Sequence, residues 1–357
     1  MQDHTEVKAL KEAMLYEAVE GDMVKCNLCA RRCVIKEGQS GFCRVRKNIN
    51  GKLYSLVYGK AVSAAVDPIE KKPLFHFHPG SSVMSIATVG CNFRCKFCDN
   101  WVISQEEEIY GKNLPPSRVV ELALKYNCQG ISYTYTEPTI FFEYAYETAK
   151  IAKEKGLFNT FVTNGYMTPE AIKTIATYLD AATVDFKGSA NPEFYRKISA
   201  VPSVEPIFES LMEMKRQGIF IEITNLIVPK YGDSMEDLRK LAKWIVDNLG
   251  PETPFHILRF HPDYQLIDVP STPLETLIKA REIALEEGLH YVYIGNVPGH
   301  EGENTYCPNC GELLIERYGF TILNWKITSN GKCPNCGYKL NIIGEYHSRG
   351  FQQYVVL

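Results

Sequence analysis

A chain of 357 residues with a 45% hydrophobic share and a formal net charge of −3 can build a large core but carries no electrostatic footprint for nucleic acid or an acidic membrane surface. No apolar run reaches the length of a membrane span, and residues 1–20 are polar and amphipathic (Val7, Leu10, Met14, Leu15) without the apolar centre of a signal peptide. Twelve cysteines in such a chain argue for metals in a reducing compartment, the cytoplasm, rather than for disulfides.

Eleven of the twelve cysteines fall in three clusters. The first is Cys26-x2-Cys29-x3-Cys33 followed by Cys43, a four-thiol knuckle with Gly38 and Gly41 for tight turns. Zinc is its first candidate and an auxiliary iron–sulfur cluster its second, since soft thiolates serve both. Lys25, Arg31, Arg32, Arg44, Arg46 and Lys47 read as a solvated rim that offsets thiolate charge. Residues 49–66 alternate as a hairpin about Asn50-Gly51. Residues 67–80, with lysines bracketed by Pro68 and Pro73, read as an extended linker. Within it, His76 and His78 read as packing or hydrogen-bonded residues.

From residue 83 onward, strand and helix patterns alternate. Apolar runs at 83–89, 131–135, 158–163, 181–186, 219–228, 254–260 and 290–294 are separated by helical patterns at 115–127, 139–155, 169–179, 203–217, 234–249 and 273–287. This predicts a parallel sheet with helices outside, an α/β partial (βα)6 barrel with its site at the C-terminal ends of the strands. Those ends carry polar groups in succession: Thr136-Glu137-Pro138, Thr163-Asn164-Gly165, Asp185-Phe186-Lys187, Glu222 to Asn225, and Arg259-Phe260-His261.

The second cluster, Cys91-x3-Cys95-x2-Cys98, follows the first of these strands across Gly90. Three thiols are one short of a closed zinc or cubane site, so a cubane held here keeps one iron open. The spacing resembles the signature of the radical S-adenosylmethionine (SAM) superfamily. That resemblance implies a [4Fe-4S] cluster on Cys91, Cys95 and Cys98 whose open iron binds SAM. Electron transfer into the sulfonium would then give methionine and a 5′-deoxyadenosyl radical that abstracts hydrogen from a substrate. It assigns Phe97 and Asn100 to the cofactor, with Phe97 against the adenine. The SAM ammonium wants a carboxylate, which Glu137 or Asp185 can supply; its carboxylate wants a cation, for which Lys187 is placed. Thr163 and Asn164 are candidates for the ribose.

A closer resemblance is to pyruvate formate-lyase-activating enzyme, through Thr136-Glu137-Pro138, Thr163-Asn164-Gly165, Asp185-Phe186-Lys187 and Leu258-Arg259-Phe260-His261. It adds His261 to the SAM shell. The chain departs from that pattern where Tyr135-Thr136 replaces paired glycines and where Val162 replaces an acidic residue. Over residues 26–336 the chain looks most like the radical SAM member of the AmmeMemoRadiSam system, through the knuckle, residues 67–74, residues 295–299 and the last cysteines. That resemblance implies a protein partner encoded with it. An electron donor such as ferredoxin or flavodoxin is expected as well.

The third cluster is Cys307-x2-Cys310-Gly311 and Cys333-x2-Cys336-Gly337, a zinc-ribbon or rubredoxin-like signal for one zinc or iron. The join at 295–299 is expected to set this tail beside the barrel mouth. The expected organisation is a Cys-rich domain at 1–80, the barrel at 81–299 and the four-cysteine domain at 300–357. The expected function is a radical SAM enzyme, either modifying a small molecule, peptide or protein or activating a glycyl radical enzyme. The competing class is a non-catalytic metal-binding scaffold.

Overall fold

The computed structural model describes residues 10–348 and 354–357; Val7 and the first part of the amphipathic N-terminus lie outside them. Its centre is an open sheet. The chain enters it at β1 (Ser63–Pro68) and continues through β2 (Ser82–Ala87), β3 (Gly130–Tyr133), β4 (Phe158–Thr163), β5 (Ala181–Lys187), β6 (Phe220–Ile227), β7 (Phe255–Arg259) and β8 (Val292–Gly295). Strands β2 to β8 lie side by side in chain order and every pair is parallel. Strand β1 runs antiparallel to β2, and Tyr354–Val355 pairs on its outer edge. Both faces of the parallel strands are buried, which is why they read as continuous apolar runs.

The crossovers are helical: α1 (Pro116–Lys125), α2 (Phe142–Glu154), α3 (Pro169–Ile175), α4 (Pro192–Ile198), α5 (Glu205–Arg216), α6 (Met235–Asn248) and α7 (Leu274–Glu286). Side chains of Thr168, Asn191 and Ser234 accept from the first-turn amides of α3, α4 and α6, so the helix starts are written locally. Seven strands and the crossovers between them make six βα units. Helix α4 was not anticipated; its seven residues are too short to show a period. No helix among the described residues is long and apolar enough to cross a membrane.

Residues 67–80 are not a linker. Strand β1 belongs to the barrel sheet, so the expected boundary at residue 80 falls inside it. The segment after β1 turns back and closes the floor of the barrel. Ile69, Leu74 and Phe77 pack with Val83, Phe158 and Ala181 at the strand starts. The lysines of this segment are carried inward by pairing with one carboxylate. Lys72 Nζ lies 2.7 Å and Lys71 Nζ 2.9 Å from the two carboxylate oxygens of the fully buried Asp67, and the Tyr135 hydroxyl donates to the same group. His76 is buried between Asn341 O at 2.9 Å and the Tyr293 hydroxyl at 2.6 Å, so it is a hydrogen-bonded core residue.

The tail follows β8 downward instead of covering the mouth. Thr305 bonds the Tyr293 hydroxyl at 2.8 Å, Arg317 donates to Thr305 at 2.7 Å and to Phe75 O at 3.3 Å, and the Tyr338 hydroxyl donates to Glu252 ahead of β7. Ile343 then exchanges backbone hydrogen bonds of 2.8 Å with His76 and His78. These contacts lie at the starts of the strands, so they pull the tail's second knuckle to the end opposite the mouth.

Two small three-stranded sheets precede β1, one of them holding the hairpin Arg46–Ile49 and Lys52–Ser55 about Asn50-Gly51. Arg46, expected on a solvated rim, is 2% exposed, and its Nη1 donates to both carboxylate oxygens of Glu143 of α2, at 2.8 and 3.0 Å. Glu143 also accepts the Met14 amide at 2.7 Å. Removing one partner strands a buried charge. We therefore expect Glu143→Ala to cost about 3–5 kcal/mol in urea unfolding. A loss below about 1 kcal/mol would mean that the pair behaves like an exposed one.

Candidate active site

Strand β2 delivers the chain to Gly90, whose φ of 95° suits glycine, and a β-carbon there would stand 2.6 Å from Val45 Cγ1 and 2.9 Å from Cys43 O. The loop of Cys91, Cys95 and Cys98 begins at once. It is pinned by the end of α4: the amides of Arg94 and Lys96 donate to Ser199 O at 3.0 Å and Ile198 O at 2.9 Å. Arg94 reaches back to Cys91 O at 2.7 Å, and the Cys98 sulfur lies 3.1 Å from the Ser104 hydroxyl. Burial pushes all three thiols above their ordinary pKa, Cys98 to about 12; Glu137 adds to the effect on Cys91, whereas Lys187 opposes it at Cys95. A metal centre must therefore displace protons to bind here.

The three cysteines line one cavity of about 510 Å³ at the C-terminal ends of the strands. Phe97, Asn100, Glu137, Asn164, Asp185 and Lys187 line it too. Phe97 is fixed edge-on to Phe260 and tilted on Phe194. Asp185 accepts the Thr224 hydroxyl at 2.6 Å and lies 3.4 Å from Lys187 Nζ. Burial works against the Lys187 charge, but Asp185, Cys95 and Tyr195 outweigh it and hold its pKa above the ordinary lysine value.

Two of the predicted residues are arranged differently from the rest. Thr163 lies beneath the cavity surface and donates to Glu137 at 2.7 Å. His261 is exposed, its ring nitrogen 2.8 Å from Pro262 O, and it is absent from the cavity wall. Glu137 itself ties strand ends together. One oxygen accepts Thr139 N at 3.0 Å, the Thr139 hydroxyl and the Thr163 hydroxyl; the other accepts Asn164 N at 2.8 Å. Asn164 also spends its side chain inward, donating to Asn92 at 2.7 Å and accepting Tyr166 N at 3.0 Å. Sequence reasoning missed the floor of the cavity, formed by Lys71, Lys72 and Pro73, with Tyr135 above it. Burial pulls the Lys72 pKa down to about 8 against the attraction of Asp67. The signal available was the run Asp67 to Pro73 itself, an aspartate followed by three charges between two prolines.

The tail forms a different kind of site. Its four sulfurs lie within 4.8 Å of one another, with Cys307 to Cys336 at 3.6 Å and Cys310 to Cys333 at 3.7 Å. A tetrahedral thiolate site with metal–sulfur bonds of about 2.3 Å has edges of about 3.8 Å, so the cage is sized for one ion.

Residues 85–245 match the family model described as the radical SAM superfamily. The chain belongs to the radical SAM superfamily. It is 53% identical over 338 residues to an uncharacterised protein of Methanocaldococcus jannaschii, covering 94% of this chain and all of that one. It is 25% identical over 219 residues to the pyruvate formate-lyase-activating enzyme of Clostridium pasteurianum, covering 56% of this chain and 87% of that protein. The matched span begins in β2 and includes the three-cysteine loop. Membership implies a [4Fe-4S] cluster and SAM, and the residues suit them. Three thiols converge on a cavity also walled by two carboxylates and a lysine. Among the described residues only the tail gathers three or more ligand atoms within 4.8 Å, so these three sulfurs are spread beyond a single ion's sphere.

Proposed function

We propose that this radical SAM enzyme abstracts hydrogen from a small-molecule, peptide or protein substrate bound above the floor of the barrel. The observation that carries the reading is the convergence of Cys91, Cys95 and Cys98 with Asp185 and Lys187 on one cavity. When bound, the cluster and SAM supply a reductively formed 5′-deoxyadenosyl radical. The chain's own residues do the positioning. Lys187, on the cavity wall, would pair with the SAM carboxylate. Asp185, 31% exposed, is better placed than Glu137 for the SAM ammonium, because Glu137 already accepts four donors. Phe97 offers its ring to the adenine. Lys71 and Lys72 share the single carboxylate of Asp67, so the floor keeps a net positive charge that favours an anionic group on the substrate. Ferredoxin or flavodoxin is the proposed electron donor, and the likeness to the AmmeMemoRadiSam member supports a protein partner. Zinc is the proposed metal of the tail, making it a zinc-ribbon-like domain.

The test is formation of 5′-deoxyadenosine by anaerobically reconstituted protein; none under strong reduction would return the chain to the scaffold class. Likeness to a pyruvate formate-lyase-activating enzyme supports a second reading, activation of a glycyl radical enzyme. A glycyl radical signal in pyruvate formate-lyase on mixing would favour it.

Asp185→Asn is expected to keep the cluster and weaken SAM binding by about 1.5–3 kcal/mol, the worth of a charge-assisted hydrogen bond. Calorimetric titration should read this as roughly a 10- to 100-fold rise in Kd. Glu137→Gln is expected instead to lower the melting temperature, because it disturbs the ties between strand ends. Unchanged SAM affinity in Asp185→Asn would remove that residue from the shell.

A further inference from the structure

The N-terminal knuckle docks at the mouth, next to the barrel cysteines. Ala30 N donates to Tyr166 O at 2.9 Å, and the Thr168 hydroxyl donates to Asn27 O at 2.8 Å, both in the loop after β4. Arg31 Nε donates to Asn92 O at 2.6 Å, one residue beyond Cys91.

Cys26, Cys29, Cys33 and Cys43 all line a single cavity. Three features of it bear on what it holds. First, no three of these sulfurs fall within 4.8 Å of one another, whereas all four tail sulfurs do. The same is true of Cys91, Cys95 and Cys98. Second, two buried donors on residues of the cavity wall have no acceptor: Arg46 Nε and Asn92 Nδ2, on side chains that are 2% and 0% exposed. Metal-bound thiolates and the inorganic sulfides of a cluster both accept N–H hydrogen bonds, so these donors point to a bound centre, and the spread of the four sulfurs favours a cluster over a single ion. An orphan buried donor costs about 1–3 kcal/mol, so two on one wall call for an occupant that accepts. Third, the exposed wall is almost wholly apolar, with Leu28, Ile35 and Ile140 contributing to it. This is a setting that excludes water from a redox centre.

We infer that Cys26, Cys29, Cys33 and Cys43 hold a polynuclear iron–sulfur cluster, separate from the barrel cluster and with Arg46 and Asn92 as its hydrogen-bond donors. This reverses the order of the two candidates that composition alone suggested. The inference does not rest on the proposed reaction.

The decisive protein is the full chain with Cys91→Ala, Cys95→Ala and Cys98→Ala together, which leaves the knuckle untouched. After anaerobic reconstitution it should retain about two or four irons with matching sulfide, and a reduced-state electron paramagnetic resonance signal. Protein free of iron but carrying two zinc ions per chain, or carrying only the tail metal, would overturn the inference. The complementary Cys29→Ser with Cys33→Ser should lose that iron and sulfide while keeping the barrel cluster, seen as a signal that SAM perturbs. Iron and sulfide unchanged from wild type in this variant would also overturn it. Asn92→Leu keeps all four thiols. It should shift the midpoint potential or spectrum of the knuckle cluster in the triple-alanine background, and an unchanged potential and spectrum would remove the donor role.

Discussion

Cys95→Ala protein, reconstituted with iron and sulfide, is expected to form no 5′-deoxyadenosine at all. Two ligands cannot hold a cubane that already has one open corner. Cys95 is the deepest of the three, 6% exposed, with Lys187 opposing the rise in its pKa. The nearest oxygen ligands are poor substitutes for a thiolate. Ser104 is committed to Cys98, and Glu137 is committed to the strand ends. The loss should therefore be complete, with the melting curve of the metal-free protein little changed. Iron analysis of the barrel site and product chromatography check the two halves of the statement. Deoxyadenosine from this variant would mean that the reducing centre lies elsewhere.

Cys310→Ser is expected to release the tail metal and undo the tail. The tail has a small core of its own, Leu314, Ile315, Ile327 and Leu340 about the cysteines. Metal binding contributes on the order of 10–16 kcal/mol to comparable small zinc units, so a core of this size does not replace it. The structure adds a consequence for the barrel. Arg317, Tyr338 and Ile343 hold the floor segment and the loop before β7. Losing the tail should therefore raise hydrogen exchange at residues 69–78 while the three-cysteine loop keeps its protection. One metal per chain lost, with floor exchange unchanged, would show that the floor stands without the tail.

The barrel was legible because proline, serine and threonine at several helix starts and glycine at helix ends punctuate the βα units, and because strands buried on both faces read as plain apolar runs. The three-cysteine loop was legible from spacing alone. Other parts were not. Lys72 is charged and lies between prolines, which is how an exposed linker looks; its burial depends on Asp67, and sequence does not announce that pairing. Arg46 misled in the same way, because its partner Glu143 lies on a distant helix. His261 followed the strand-end pattern, yet it sits where the chain has already turned outward. The tail's cysteines specify its metal site, but the side of the barrel it occupies is decided by Thr305, Arg317 and Tyr338, which carry no motif.

An open sheet of parallel strands has two loose rims, β8 on one side and β1 on the other. The C-terminal segment engages both. It leaves along β8 through Thr305, crosses beneath the floor through Ile343, and pairs Tyr354 and Val355 with Val66 and Ala65 of β1. Its described parts touch both rims of the sheet, one on either side of the thiolate cage. A metal held in the tail cage would thus bear, through these contacts, on both rims of the sheet and on the mouth between them.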